Sequence, residues 1–338
     1  NRTVFVFTGF LRIFLSILIY LIGIFLAQKK SDKIFSYYIA SLTVFLIFFS
    51  SLQLIKQRPL GKFIELTPGF SQQIGYLTTD GIAQYRVSGF ISHPVYFGSF
   101  LSMLIPILIS IFIKTKNKTF KAIYLILTLL LTVITLGTLS RSTWINLSFI
   151  IISFLIYFQK SQPYFNFSLP KFNPKIRKIF MIIFLLVTLI ITPKILTRIK
   201  SIPELFTNKE GSFSSRLDLV QKSLKTTFYR PFTGVGLNNF SFENYDQSIP
   251  GFAAPPHNTF LIFLSELGLP ATIFFLLFTI FSLKPNSILF KKDPLFFGIW
   301  LGIITFIISS QFHPLFNLDP SFDIFMLLLG YYSIALPR

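Results

Sequence analysis

The 338 residues include no cysteine, which rules out a disulfide framework and thiolate metal sites and leaves the redox compartment open. Acidic side chains are scarce, 12 Asp and Glu against 31 Lys and Arg, for a net charge of +19. That excess does not mark a nucleic-acid binder, because the basic residues cluster between apolar runs instead of lining one helix face. Histidine is also rare, with three copies, so the placement of each asks for a reason. No basic stretch followed by a small-residue cleavage site opens the chain, which argues against a signal peptide.

What is abundant is apolar surface. At 52% hydrophobic, 18% aromatic and 13% charged residues, the chain carries far more than a water-soluble core needs. The expected fold is all-α: a polytopic transmembrane helix bundle, one integral membrane domain over 1–338. Nine candidate spans can be drawn, at 9–27, 34–55, 95–113, 122–140, 143–159, 179–196, 259–282, 295–310 and 321–336. Lysine and arginine collect in alternate connections: Lys29 to Lys33, Lys114 to Lys121, Lys160 to Lys178, and Lys284 to Lys292. By the positive-inside rule these face the cytoplasm, so 56–94, 140–143, 197–258 and 311–320 face outward. The large outer loop 197–258 is expected to hold short helices. Asn1 falls outside in this scheme, which leads to the expectation of at least one further span upstream.

The chemically interesting residues collect on the outer side. "TLSRSTW" places Arg141 in a hairpin between two spans, since one helix over 122–159 would be about 57 Å long. Arg141 is either a snorkelling arginine or part of an anion site. In "GSFSSRLDLVQKSLKTTFY", Leu217, Val220, Leu224 and Phe228 follow a helical period. Ser215 with Asp218 fits a capping pattern, which puts Arg216 in the first turn, where the helix dipole favours an anion. The alternative is a surface arginine paired with Asp218 or Glu210. Gly234 and Gly236 in "RPFTGVGLNNF" read as a tight turn rather than a phosphate loop, because no third glycine and no Gly-Lys-Ser/Thr follows. In "YRVSGFISHPVYFGSFL", Arg86 and His93 approach a span starting at Pro94, and His93 reads as a helix-start residue.

Behind Pro255 and Pro256, His257 precedes Asn258, a competent N-cap for the span from Thr259. There His257 is placed either as a proton-transfer group or as a plain interfacial histidine. Glu266, nine positions on, lies about 13 Å deeper and half a turn away. It is expected to face the bundle interior, protonated, hydrogen-bonded to a neighbouring helix or paired with a base.

Taken in order over roughly 80–270, "RVSGFISHPVYFGSFL", "SRSTW", "SSRLDL", "RPFTGVGLNNF" and "PHNTFLIFLSELGLPA" resemble the O-antigen ligase and O-antigen polymerase superfamily of bacterial polytopic glycosyltransferases. The resemblance implies a C-type glycosyltransferase-like bundle in the cytoplasmic membrane. Such an enzyme works without metal or other cofactor, moving a glycan from an undecaprenyl-pyrophosphate donor to an acceptor hydroxyl on the outer side by a single inverting displacement. It also implies that Arg141 and Arg216 bind the donor pyrophosphate and His257 is catalytic, with Arg86, Asn258, Glu266 and Arg230 as possible support. Partners would be the lipid-linked donor, an acceptor glycolipid, glycan or protein hydroxyl, and membrane lipids, without nucleic acid. The chain is shorter in spans than the family's usual pattern.

The residues fit that chemistry, since two arginines can offset a leaving pyrophosphate by bidentate contacts. The carboxylates Glu204, Glu210, Asp218, Glu243 and Asp246 are scattered, and only Glu243 and Asp246 are near enough in sequence to consider for a metal. A ligase, a polysaccharide polymerase and an O-oligosaccharyltransferase share the donor half of such a site. A transporter of lipid-linked glycans remains a reading from another class, although it would carry charges or helix breaks at mid-depth in several spans. A non-catalytic scaffold would not explain why Arg141, Arg216 and His257 gather on one side.

Overall fold

The computed structural model describes residues 2–29, 31–60, 76–79, 82–91, 93–161, 212–244, 255–315 and 320–334, with 192, 193, 196, 197 and 199. Helices dominate: α1 (Arg2–Gln28), α2 (Asp32–Lys56), α3 (Pro94–Lys114), α4 (Lys118–Gly137), α5 (Arg141–Ser161), α6 (Ser212–Tyr229), α7 (Phe240–Glu243), α8 (Thr259–Ser282), α9 (Ser287–Lys292), α10 (Pro294–Ser310) and α11 (Ser321–Ser333). Between α2 and α3 a small antiparallel hairpin pairs β1 (Tyr76–Thr79) with β2 (Ile82–Tyr85), with Tyr76 opposite Tyr85.

Among the described residues six helices are long and apolar enough to cross a membrane: Val6–Gln28 within α1, then α2, α3, α4, Arg141–Gln159 within α5, and α8. The apolar α10 is shorter, at 17 residues. The protein is a polytopic helical membrane protein. The expected span 179–196 falls almost entirely outside the described residues.

The helix starts follow from local chemistry. Asn117 caps α4 through its side-chain oxygen, which accepts from the amides of Thr119 and Phe120 at 2.9 and 3.2 Å. Asn258 does the same for α8, accepting from Phe260 and Leu261 at 2.9 and 3.1 Å. Each cap of this kind is worth about 1 kcal/mol.

Two compact units divide the chain. The first is 1–29, 203–285 and 307–338, and the second is 30–202 and 286–306. In the first, α1 packs along α11 at backbone distance, with Gly330 against the Tyr20 carbonyl and Gly23 against that of Leu327. Small residues allow such approach where lipid supplies no hydrophobic force between helices. The Ser16 hydroxyl donates to Asp323 across this seam at 2.7 Å. The α6 helix packs on α8, and Phe275 of α8 meets Phe322 and Phe325 of α11.

In the second unit α3 is the central helix, buried almost throughout from Phe97 to Phe112, with α4 and α5 against it. Lys114 at its end pairs with Asp32 at 2.7 Å and Asp293 at 2.5 Å, tying together the starts of α2 and α10. Tyr157 of α5 stacks on Phe297 of α10 at 4.3 Å between ring centres.

Candidate active site

The first unit holds most of the candidate residues. The α6 helix starts earlier than the Ser215 capping pattern suggests: it runs from Ser212, so Arg216 is its fifth residue and stands past the first turn. No glycine or proline lies between 212 and 229 to hold the start back, and Gly211 is the nearest residue of poor helix propensity. Arg216 therefore stands clear of the unpaired amides at the helix terminus. Asp218 does not pair with it, because Asp218 takes Lys222 one turn on, at 2.7 Å. Glu210 lies outside the described residues.

Half-buried Arg216 has its Nε enclosed with no hydrogen-bond partner among the described residues. Burial lowers its pKa from the ordinary value, though an arginine keeps its charge at any physiological pH. His257, also half-buried, has its Nδ1 enclosed and unpartnered in the same sense. Its pKa is pushed below that of an ordinary histidine, first by burial and then by the positive charge of Arg216. At neutral pH His257 is thus a neutral imidazole beside a cation, with one ring nitrogen enclosed and not engaged by any described residue. That combination can accept a proton next to a bound anion.

Asn258 is engaged twice, as the cap of α8 and, through its amide nitrogen, with the Gln311 side chain at 3.2 Å. Because Asn258 caps the helix, the neighbouring imidazole is not needed for that task. Thr259, next along, accepts from the Leu315 amide at 3.0 Å and donates to the His313 carbonyl at 3.1 Å, which fixes the start of α8.

Deeper in α8 the helix is broken. Gly268 adopts φ 80° and ψ 176°, two residues before Pro270, and the backbone groups freed there are taken up by the loop after α6. Val235 and Gly236 donate to the carbonyls of Ser265 and Glu266 at 3.0 and 2.9 Å, and Leu269 donates to Pro231 at 2.7 Å. Glycine is required on both sides of this seam. A Cβ on Gly268 would stand 2.6 Å from the Phe232 carbonyl, and one on Gly234, at φ 61°, would run into the Glu266 backbone.

Glu266 faces the interior as expected, only 2% exposed. Its carboxylate accepts from the amides of Asn238 and Phe240 at 2.9 and 3.2 Å, which holds the loop that "RPFTGVGLNNF" builds. Glu266 is thus a support of the loop. Gly234 and Gly236 are turn glycines with positive φ, matching the turn reading of that motif. Arg230 sits half-exposed at the end of α6, with Nη2 3.8 Å from Glu243. Asp246, the other carboxylate considered for a metal, lies outside the described residues.

Arg86 and Arg141 belong to the second unit. The buried Arg86 donates through Nε to the Thr138 carbonyl at 2.9 Å, and the amide of Val87 reaches Gly137 at 3.2 Å. Arg86 thus satisfies carbonyls at the C-terminal end of α4, where a cation is favoured. Arg141 is the first residue of α5, with three residues between it and the end of α4, so the hairpin is formed; Leu139 makes the turn with φ 50°. The rest of "RVSGFISHP" is held structurally. Gln53, which the motif alone did not reveal, exchanges two hydrogen bonds with the Gly89 backbone at 2.7 and 2.8 Å. His93 caps α3, its Nδ1 accepting from Val95 at 3.2 Å.

Comparison with known proteins adds one match, in which residues 125–276 fit the family model for O-antigen ligase. Over that segment the chain is similar to the O-antigen ligase family. Arg141, Arg216, Arg230, His257, Asn258 and Glu266 all fall inside the O-antigen ligase match, and Arg86 falls outside it. No curated protein matches the chain. The apolar helices make this a multi-pass membrane protein, and the family similarity supports glycosyl transfer of the ligase or polymerase type.

Proposed function

We propose that the protein transfers a glycan from a lipid-linked pyrophosphate donor to an acceptor hydroxyl, as an O-antigen ligase does, with the site outside the cytoplasmic membrane. The observation that carries this reading is the pairing of His257 with Arg216. Each has a ring or guanidinium nitrogen enclosed with no partner among the described residues, and burial together with the Arg216 charge depresses the pKa of His257. A neutral imidazole beside a fixed cation suits a reaction in which a hydroxyl loses its proton while an anionic group leaves.

In that reaction the acceptor oxygen attacks the anomeric carbon and the bond from that carbon to the pyrophosphate oxygen breaks. His257 takes the hydroxyl proton, and Arg216 offsets the charge left on the lipid pyrophosphate. The displacement inverts the anomeric centre. Arg141 is assigned to the pyrophosphate on the family resemblance, and the outer loop 197–258 supplies Arg216. The two arginines take the part a divalent metal plays in other transferases, so the reaction needs none. A polymerase or an O-oligosaccharyltransferase would use the same donor half with a different acceptor.

The test is turnover of purified protein with an undecaprenyl-pyrophosphate glycan in excess EDTA, with and without added Mg²⁺ or Mn²⁺. Activity that persists in chelator and is lost in Arg216→Ala supports the reading. Activity that vanishes in chelator and returns with metal contradicts it. The side of the membrane is tested in intact cells with an impermeant thiol reagent, which should label Ser214→Cys and not Ser161→Cys.

A further inference from the structure

The amphipathic pattern of α6 is turned outward. At about 100° per residue its side chains fall into three sectors. One sector holds Leu219, Ser223, Thr226 and Thr227 and is buried, so three of its four members are small hydroxyl residues. A second holds Leu217, Leu224 and Phe228, which are 48%, 40% and 84% exposed. The third holds Asp218, Lys222, Lys225 and Tyr229, exposed or half-exposed. A helix packed on a protein in water buries its leucines and phenylalanine and turns its serines and threonines out. Here the order is reversed, and the three sectors match three media: protein, hydrocarbon and water. Small hydroxyl residues at a helix seam and large apolar ones outside are the arrangement of a lipid-exposed helix.

The turn after α6 gives a second, independent observation. Its backbone is bonded to residues 265–269 of α8, a helix of membrane-crossing length. At about 1.5 Å per residue that register lies about 9 to 15 Å below Thr259, or about 2 to 8 Å inside when counted up from Lys284 across about 30 Å of hydrocarbon, so either count puts it within the apolar layer. At that depth irregular backbone is tolerated only where its polar groups are satisfied within the protein. Six of the turn's amides are: those of Gly234, Val235, Gly236, Asn238, Asn239 and Phe240 have protein acceptors, two of them the Glu266 carboxylate. Beside this seam Phe232 is 76% exposed, continuous with the exposed Leu269, Ile273 and Phe274 of α8.

We propose that α6 and the turn that follows it are seated in the bilayer, in the leaflet that the N-terminal end of α8 faces. Leu217, Leu224, Phe228 and Phe232 stand among acyl chains, and Lys222 and Lys225 stand at headgroup level. The helix is an interfacial element whose C-terminal end dips into hydrocarbon and carries the re-entrant turn 230–240. The occupant of the apolar sector is lipid.

Because the chain lacks cysteine, the test needs no background substitutions. Single variants Leu224→Cys, Lys225→Cys, Phe228→Cys and Phe232→Cys are nitroxide-labelled in vesicles of phosphatidylglycerol and phosphatidylcholine. Relaxation by oxygen is then compared with relaxation by a water-soluble nickel chelate. Phe274→Cys serves as the lipid reference and Lys116→Cys as the water reference. Labels at 224, 228 and 232 should follow the lipid reference, and the adjacent label at 225 should follow the water reference. Those side chains point away from the protein, so labelling leaves the packing intact, and the 224/225 contrast reads correctly only in a folded helix. If all four labels relax with the nickel chelate, the helix is in water and the proposal fails. If the apolar positions exclude both reagents and show dipolar broadening, a second copy covers them and the proposal fails equally.

Discussion

His93 and His257 each stand immediately before a membrane-length helix, and the structure gives them opposite employment. His93 precedes a proline, so no other side chain is placed to cap α3, and its ring nitrogen takes the Val95 amide. His257 precedes Asn258, which caps α8, and the imidazole Nδ1 is enclosed beside Arg216 with no partner among the described residues. Among the arginines, the Arg86 Nε is anchored on the Thr138 carbonyl, whereas the Arg216 Nε has no partner among the described residues. Two histidines in similar positions thus divide into one that fixes backbone and one whose ring nitrogen has no such task among the described residues.

The largest effect that sharpens this contrast is on turnover. His257→Ala should lower transfer by about 10²- to 10⁴-fold, the range for losing a general base, with donor binding retained. His93→Ala should keep turnover per folded molecule within a few-fold and lower thermal stability instead. A hundredfold loss in well-folded His93→Ala would erase the distinction.

Next come the arginines. Arg216→Gln should abolish transfer while leaving stability unchanged or slightly raised, because a half-buried cation whose Nε has no partner among the described residues costs folding free energy. Lysine at 216 should rescue poorly if the contact is two-pronged. Arg86→Gln should do the reverse, costing about 1 to 3 kcal/mol of stability by stranding a buried carbonyl, with turnover per folded molecule retained. Thermal melts in detergent beside transfer assays separate the two.

Gly268→Ala comes third. The conformation at Gly268 is one that residues with a Cβ hold only at a cost of about 1 to 3 kcal/mol, before any collision with Phe232. A drop of several degrees in melting temperature should accompany it. Smaller still is Asn258→Ala, which should cost about 1 kcal/mol as a lost cap.

Much of this architecture was legible in the sequence. Six of the nine expected spans follow from apolar run length, the hairpin at Arg141 from the impossibility of a single helix over 122–159, and the turn at Gly234 and Gly236 from glycine itself. The caps Asn258 and His93 follow from residue type beside proline or a helix start. What was not legible depends on partners distant in sequence. The Glu266 carboxylate bonds amides 28 and 26 residues upstream, and Gln53 meets Gly89 across 36 residues. The break at Gly268 is also hidden, because an isolated glycine before a proline in an apolar run is compatible with a continuous helix. The start of α6 was misplaced by reading Ser215 as a cap, although nothing between Gly211 and Ser215 ends a helix.

The measurement that tests the central claim most directly is the titration of His257, followed by NMR of the imidazole in the wild-type chain and in Arg216→Gln, with His93 and His313 replaced to leave one signal. Burial and the neighbouring cation both disfavour protonation, so the wild-type pKa should lie below the ordinary histidine value of about 6.5. Removing the Arg216 charge should move it upward. A wild-type pKa at or above the ordinary value, or one that does not respond to loss of Arg216, would contradict the pairing on which the proposed chemistry stands.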